Sequence, residues 1–356
     1  MAALSSPPSE NAAYARPYPP SWVNTLTRGL DRLPAPSWRY YVGMWLVLFG
    51  VTTVIEWRAG TYPVGTYNLF HLAVAAGVPY ILALIHYLSN AGDAALQRFR
   101  AVLNIGDAEY QDLKYRLTML PARATLFWMI VLVSTSLIGM LFTGTFVASM
   151  QISNTPLSLA WGILLVAMWD IFGAAWFYQM YRQMRMVSQI YAEYVRIDVF
   201  NQNALYGFSG LLLRASLGVI FGVTSLFVIA EGFFQDVMNI ASTLLGLMLA
   251  VAIFILPLLQ IHGRLQNEKE RLLGETNNRI ENTVTLLHRR IDTRSAAEIS
   301  ELKDILDALE LEQRILQRIP TWPWAPETFR LLVSALLFPI VVFSIQYIVG
   351  KLAAAP

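Results

Sequence analysis

Apolar positions along this chain are gathered into long blocks, separated by stretches that carry the charges. Seven blocks are long enough to cross a bilayer, because about 20 residues with a rise of about 1.5 Å each span a hydrocarbon core of roughly 30 Å. They lie near residues 40–57, 69–88, 124–149, 157–180, 208–233, 239–262 and 328–350. We therefore expect an all-α membrane protein with seven transmembrane helices.

The basic residues between the blocks predict the orientation. Lysine and arginine close to a span are retained on the cytoplasmic side. Of the 26 such residues, 24 fall in alternate segments beginning with the N-terminal one, and the other segments hold only Arg58 and Lys351. This asymmetry predicts a multi-pass protein of the cell membrane, with its N-terminus in the cytoplasm and its C-terminus outside.

Apolar periodicity continues beyond two of the spans and predicts helices in the cytoplasm. We expect the sixth helix to run on as an amphipathic rod, to break at residues 292–294, and to be followed by a helix that starts at a capping box of Ser295 and Glu298. Residues 109–117 form a further amphipathic stretch. The fourth span continues along a stripe of Met180, Met184, Val187, Tyr191 and Tyr194. These pieces predict a cytoplasmic helical bundle built from extensions of helices 4 and 6 and a helical hairpin before helix 7.

The same pattern divides the chain into parts. They are a disordered or interfacial N-terminal segment at 1–36, transmembrane helices 1–6 at 37–263 with cytoplasmic loops at 89–123 and 181–207, a cytoplasmic helical hairpin at 264–319, an interfacial Trp/Pro hinge at 320–327, and transmembrane helix 7 at 328–350.

The composition indicates a membrane protein and argues against several kinds of catalytic and metal-binding site. Apolar residues make up 56% of the chain and charged residues 14%, against about 25% charged in soluble proteins. There is no cysteine, and the four histidines have no acidic or histidine partner at ligand spacing. Neither a glycine-rich phosphate loop nor a nucleophile motif is present. We expect no enzyme activity, no metal or other cofactor, and no nucleic-acid partner.

Asp170 is the acidic residue in the middle of a span. A charge there costs roughly 2.5–3.5 kcal/mol on insertion scales, so the group needs a partner or a proton. It is either a cation site, coupling carboxylate or gate, or a hydrogen-bonded residue that locks two helices together. Pro257 and Pro339 each lack a backbone donor inside a span and predict helix kinks.

Three further polar residues bear on ion passage. Glu231 and Asp236 make the connection between the fifth and sixth helices acidic; they are candidate pore-mouth acids that concentrate cations, or part of a solvated turn. Gln346 lies in an otherwise apolar last helix, where its amide either lines a conduit or bonds to a neighbouring helix.

The order of these features resembles the insect odorant and gustatory receptor channels and their receptor-like relatives. The gustatory branch has Thr-Tyr, five apolar residues and Gln-Phe in its last helix. Here Pro339-Ile340 precede the apolar run 341–345, and Gln346-Tyr347 follow it, so the second half matches with tyrosine for phenylalanine. The resemblance implies seven helices with the N-terminus inside, a cytoplasmic anchor bundle, and a last helix that lines a pore in a tetramer.

These expectations combine into a homo-oligomeric cation-permeable channel, ligand-gated or constitutive, with Val341, Ser344 and Gln346 as candidate pore-lining residues. Its partners would be the lipid bilayer, further copies of the chain, and cations or a small-molecule ligand. Two alternatives stay open. One is a non-conducting sensor or scaffold that signals through the hairpin at 264–319, and the other is a secondary transporter.

Overall fold

The structure, a computed structural model, describes residues 17–100, 103, 105–144, 146–194, 206–229, 237–293 and 296–353. These residues form eleven helices and no strand, apart from isolated bridge pairing such as that of Pro20 with Pro121. In chain order the helices are α1 (Trp22–Asp31), α2 (Ser37–Ala59), α3 (Leu69–Phe99), α4 (Asp107–Thr118), α5 (Ala122–Thr143), α6 (Phe146–Met150), α7 (Pro156–Glu193), α8 (Gly207–Ile229), α9 (Val237–Thr293), α10 (Ala296–Arg318) and α11 (Pro326–Ala353).

Six helices in the described part of the chain are long and apolar enough to cross a membrane. They are α2, α3, α5, α7, α8 and α9. The prediction of an all-α fold is therefore confirmed, and the chain is a polytopic membrane protein. The seventh expected span falls in α11, where several side chains lie outside the described part. The count of seven and the orientation remain predictions.

The chain divides into two compact units, and the first comprises Met1–Ala94 with Ile105–Gln183. Its core is formed where α2, α3 and α7 pack together. Tryptophan indoles bond these helices to one another, since Trp45 Nε1 donates to Leu72 O at 3.0 Å and Trp169 Nε1 donates to Val74 O at 2.9 Å. Gly77 makes the close approach of α3 and α7 possible, because a Cβ there would lie 1.7 Å from the Trp169 ring.

Helix α1 was missed by the sequence analysis, which placed residues 1–36 in a disordered or interfacial segment. The helix is fixed to the α4–α5 connection, where Ser21 N donates to Leu120 O at 2.7 Å and Leu120 N donates to Asn24 Oδ1 at 2.8 Å. It buries Asn24 and Thr27 beside Val23. A ten-residue helix that buries polar side chains contains no apolar run that would reveal it.

The third apolar block, expected at 124–149, is interrupted. Helix α5 ends at Thr143, and Gly144 adopts a left-handed φ of 61° before the short α6 begins. Glycine reaches this conformation without a Cβ penalty, and Gly144 N caps the helix by donating to Met140 O at 3.3 Å. Hydrophobicity continues across the break, which is why the pattern did not reveal it.

The second unit comprises Ala95–Asn104 and Met184–Pro356. Helix α9 runs for 57 residues, through Pro257, and packs against both α8 and α10. The α9–α10 hairpin is joined by polar bonds: Gln313 Nε2 donates to Asn277 Oδ1 at 2.7 Å, and Thr276 Oγ1 donates to Glu312 Oε1 at 3.2 Å. Ser295 of the expected capping box lies outside the described residues. Helix α11 contains Pro339 and packs on α8.

Candidate functional site

Asp170 lies on the side of α7 that faces α5. The Ser136 hydroxyl of α5 is its hydrogen-bonding neighbour, whereas Oδ2 is buried with no partner in the described part of the chain. The bond to Ser136 joins two helices, as the helix-locking interpretation expects. The unpartnered Oδ2 is the kind of acceptor that the functional interpretation requires, so both alternatives of the sequence analysis stay open.

The three candidate pore-lining positions of α11 do not share a face. Val341 and Ser344 are exposed, and Ser344 Oγ donates to Ile340 O of its own helix at 2.8 Å. Position 346 lies about 140° around the helix from Val341. By register it belongs with Leu332 and Pro339, which are buried on the other side of α11. The Gln346 side chain lies outside the described part, as do both pore-mouth acids, Glu231 and Asp236.

An exposed stripe follows one side of α11 with alternating spacings of three and four residues. Its five members are exposed and mix hydroxyl groups with branched apolar side chains: Ser334, Leu337, Val341, Ser344 and Ile348. This heptad spacing is that of a helix that packs along a partner helix. We call it the α11 stripe.

Glu56, which the sequence analysis did not single out, is completely buried at the end of α2. Its Oε2 accepts hydrogen bonds from the Thr61 hydroxyl and from Ser153 N, the latter at 3.0 Å. Its Oε1 is buried and has no partner in the described part. Thr53 Oγ1, one turn earlier, is also buried, and its neighbour is the Tyr62 hydroxyl, without a hydrogen bond of good geometry. No Lys, Arg or His of the described residues pairs with this carboxyl group.

Glu56 belongs to a larger polar cluster, because Tyr62 and His71 lie beside it. His71 Nε2 lies 3.1 Å from Met150 O, a pure acceptor, so Nε2 donates, and Nδ1 lies 3.3 Å from the Tyr62 hydroxyl. Burial raises the pKa of Tyr62, so the phenol keeps its proton. We call Thr53, Glu56, Tyr62 and His71 the Glu56 cluster.

A second imidazole of α3 has a similar arrangement. The Tyr41 hydroxyl lies 2.9 Å from His86 Nδ1, and His86 Nε2 lies 2.9 Å from Asp31 Oδ2. Tyr41 and His86 are buried, whereas about half of the Asp31 side chain is exposed. Carboxylate, imidazole and phenol thus form a continuous chain from the surface into the unit.

Two buried glutamines lie near this chain on α7. Gln179 Nε2 donates to Ile85 O and to Ser89 Oγ, both at 3.1 Å, and Gln183 Nε2 donates to Leu88 O at 3.1 Å. The Oε1 atoms of both amides are buried without partners in the described part. Such acceptors leave a need for hydrogen-bond donors or cations inside the unit.

In the second unit, aromatic rings connect α9 to the segment before α11. His262 stacks on Trp322 with ring centroids 3.8 Å apart and planes 4° apart, and Trp322 stacks on Trp324 at 4.3 Å. The stack extends to Phe329 of α11 at 5.6 Å, while His262 Nδ1 lies 3.1 Å from Thr321 O. The Trp/Pro segment is therefore held against α9 in this structure.

The Glu56 cluster and the Asp31 chain were not predicted from the sequence, and the reason is the same for both. Metal and catalytic motifs are recognised by short spacing, whereas the partners of His71 and His86 include tyrosines and groups 45 to 79 residues away. The available signal was Glu56 itself, an acidic residue inside the first apolar block. No protein-family model, curated protein or solved structure matches the chain.

Proposed function

We propose that this polytopic membrane protein is a homo-oligomeric, cation-permeable channel whose α11 helices surround the path. The observation that carries the proposal is the α11 stripe. Apolar helices gain little from leaving lipid for one another, so association depends on close packing and interhelical hydrogen bonds, which small hydroxyl residues favour. Ser334 and Ser344, in heptad register with Val341, supply both.

Buried acceptors in the first unit favour cations as the permeant species. Asp170 Oδ2 and Glu56 Oε1 are carboxyl oxygens without partners in the described part, and Gln179 Oε1 is a buried amide oxygen in the same condition. Ionisable groups within membrane segments usually mark ion or proton pathways. The resemblance to chemoreceptor channels, whose last helix lines a pore, agrees with this proposal.

One observation favours a second candidate, the non-conducting sensor or scaffold. Helix α10 exposes Ile305, Leu311 and Ile315 on one side, at 43%, 54% and 49% of their areas. An amphipathic partner helix packed along this side of α10 would bury these apolar side chains.

Single-cysteine variants test the channel proposal, since the chain has no cysteine of its own. Val341→Cys and Ile340→Cys differ by one residue in depth, both positions are exposed, and they point about 100° apart. In planar bilayers we expect a cationic, water-soluble thiol reagent to block the current of Val341→Cys and to leave that of Ile340→Cys unchanged. Oxidation should link copies through Val341→Cys faster than through the control.

Two results decide between the candidates. Absence of any conductance, together with a monomeric mass in detergent, would contradict the channel proposal and favour the non-conducting sensor or scaffold. If the protein conducts and the reagent blocks both cysteine variants equally, or blocks neither, then the α11 stripe does not line the ion path. Asp170→Asn, recorded alongside, should reduce cation conductance if the carboxylate serves the ion, and should leave it unchanged if the residue only joins α5 to α7.

A further inference from the structure

The Glu56 carboxyl group has an unusual electrostatic position. It is completely buried, and only neutral groups bond to it in the described part of the first unit. An isolated buried charge is costly unless it is paired, and hydrogen bonds to one oxygen do not neutralise it. An ionised Glu56 would therefore need one positive charge beside it.

Two unpartnered oxygens mark where that charge would lie. Glu56 Oε1 and Thr53 Oγ1 are both buried without a hydrogen bond of good geometry, and the spacing of three residues puts them on the same face of α2. The Tyr62 phenol lies next to the Thr53 hydroxyl. Carboxylate, hydroxyl and phenol oxygens thus come together at a buried position.

We propose that Glu56 and Thr53 form a binding site for one monovalent cation, either a proton or an alkali ion. A single carboxylate balances a single positive charge, whereas a divalent ion would leave an excess. Among the described residues, no three acidic or histidine side chains converge as a divalent metal site would require. Irregular backbone next to broken or ending helices is where membrane proteins coordinate alkali ions.

The groups around the site come from every segment packed against it. Arg58 of α2 is exposed and lies two residues further on, Tyr62 follows in the α2–α3 connection, and His71 lies in the first turn of α3. The α6–α7 connection contributes Ser153, which does not titrate. His71 is the one imidazole near the site in the described part, and its ring nitrogens lie against the Tyr62 hydroxyl and Met150 O, so it does not pair with the carboxyl group.

Occupancy of this site would fasten two connections at once. The α2–α3 connection reaches Glu56 through Thr61, and the α6–α7 connection reaches it through Ser153. Asn68 Nδ2 also donates to Gln151 Oε1 at 2.9 Å, which joins the two connections directly. A bound cation would therefore stabilise this end of the first unit, and its release would loosen both connections together.

Thermal unfolding of the purified protein in lipid nanodiscs tests the site. The midpoint is measured in sodium, potassium and choline chloride at constant ionic strength and over a series of pH values, for wild type and Glu56→Gln. An alkali ion should raise the wild-type midpoint saturably above that in choline, whereas a proton should raise it as the pH falls in choline, by mass action. Glu56→Gln should abolish the response that wild type shows.

Three controls make the outcome specific. Glu327→Gln removes an exposed carboxyl at the start of α11 and should respond as wild type does. Thr53→Val keeps the carboxyl group but removes the hydroxyl oxygen. It should lower the affinity for an alkali ion by about tenfold or more, because hydrogen-bonding groups that contact a charge contribute more than those that contact a neutral partner. For a proton, the infrared C=O band of protonated carboxyl groups should be stronger in wild type than in Glu56→Gln, and the difference between the two spectra is the contribution of Glu56.

The proposal is overturned if wild type and Glu56→Gln show the same dependence on both alkali ions and pH, with no difference in the carboxyl band. Should Glu56→Gln fail to fold, the same measurements on wild type and Thr53→Val decide it, and a wild type without an alkali response or a protonated-carboxyl band overturns it. The site lies within one chain and needs no conduction, so its failure is distinguishable from failure of the channel.

Discussion

At the scale of single residues, the described part of this protein is notable for polar side chains buried in pairs and chains. His71 and His86 are both on α3 and both have Nδ1 engaged by a tyrosine hydroxyl. Fifteen residues of helix separate them by about 22 Å, most of the roughly 30 Å thickness of a hydrocarbon core. Removing one partner leaves the other unsatisfied, which costs more than the bond itself contributes.

Tyr41→Phe tests this argument at the Asp31 chain. It removes one oxygen, keeps the ring, and leaves buried His86 Nδ1 without its partner, so we expect a loss of about 1–3 kcal/mol in unfolding free energy. Denaturant titration in detergent measures it. Tyr67→Phe is the matched control, because Tyr67 is 65% exposed, and it should change stability little. Equal stabilities of the two variants would show that the hydroxyl of Tyr41 is dispensable.

Sequence reasoning located Asp170 but missed Glu56, although both are acidic residues in apolar blocks. The difference is position, since Asp170 lies mid-block and Glu56 lies close to Arg58, where a block edge is expected to be solvated. Burial at that edge depends on the α2–α3 and α6–α7 connections folding over it. Such burial arises from tertiary contacts, and the hydropathy of a single segment does not predict it.

At the scale of helices, close packing in the first unit depends on particular small residues. Gly77 faces the Trp169 ring, and a methyl group would have to displace a bulky indole that also bonds to Val74 O. Gly43 of α2, by contrast, has no atom within 4 Å of an added Cβ. The two glycines therefore predict opposite outcomes for the same substitution.

Gly77→Ala should destabilise the protein by about 1–3 kcal/mol through overpacking. Gly43→Ala should be neutral or stabilising by up to about 1 kcal/mol, because alanine favours helix. The thermal midpoints of the two variants in the same detergent make the comparison. A Gly77→Ala protein as stable as Gly43→Ala would mean that Trp169 moves aside without cost.

Some helices and helix ends could be predicted from the sequence, and others could not. The long apolar blocks and the run of α9 beyond Pro257 follow from periodicity that persists over many turns. The end of α5 at Gly144 and the whole of α1 do not, because each depends on a local cap or on contacts with distant residues. Apolar periodicity over many residues therefore predicts which helices are long and apolar, but it does not reveal a short break within an apolar block.

At the scale of the whole molecule, six long apolar helices identify a polytopic membrane protein, and the sorting of basic residues predicts its orientation. A reporter active only in the cytoplasm, fused after Pro356, should stay inactive, while the same reporter fused before Met1 should be active. An active C-terminal reporter would contradict the seven-span scheme, and the proposed role of α11 would fall with it.

The length of α9 has a mechanical consequence. From Pro257 to Thr293 the helix extends for about 54 Å, and a proline inside a helix is a common place for bending. A change of direction of about 5° at that residue displaces the distal end by about 5 Å, roughly one turn of helix. Small shifts of the apolar helices near Pro257 would thus displace the tip of the α9–α10 hairpin far enough to expose or cover a binding face.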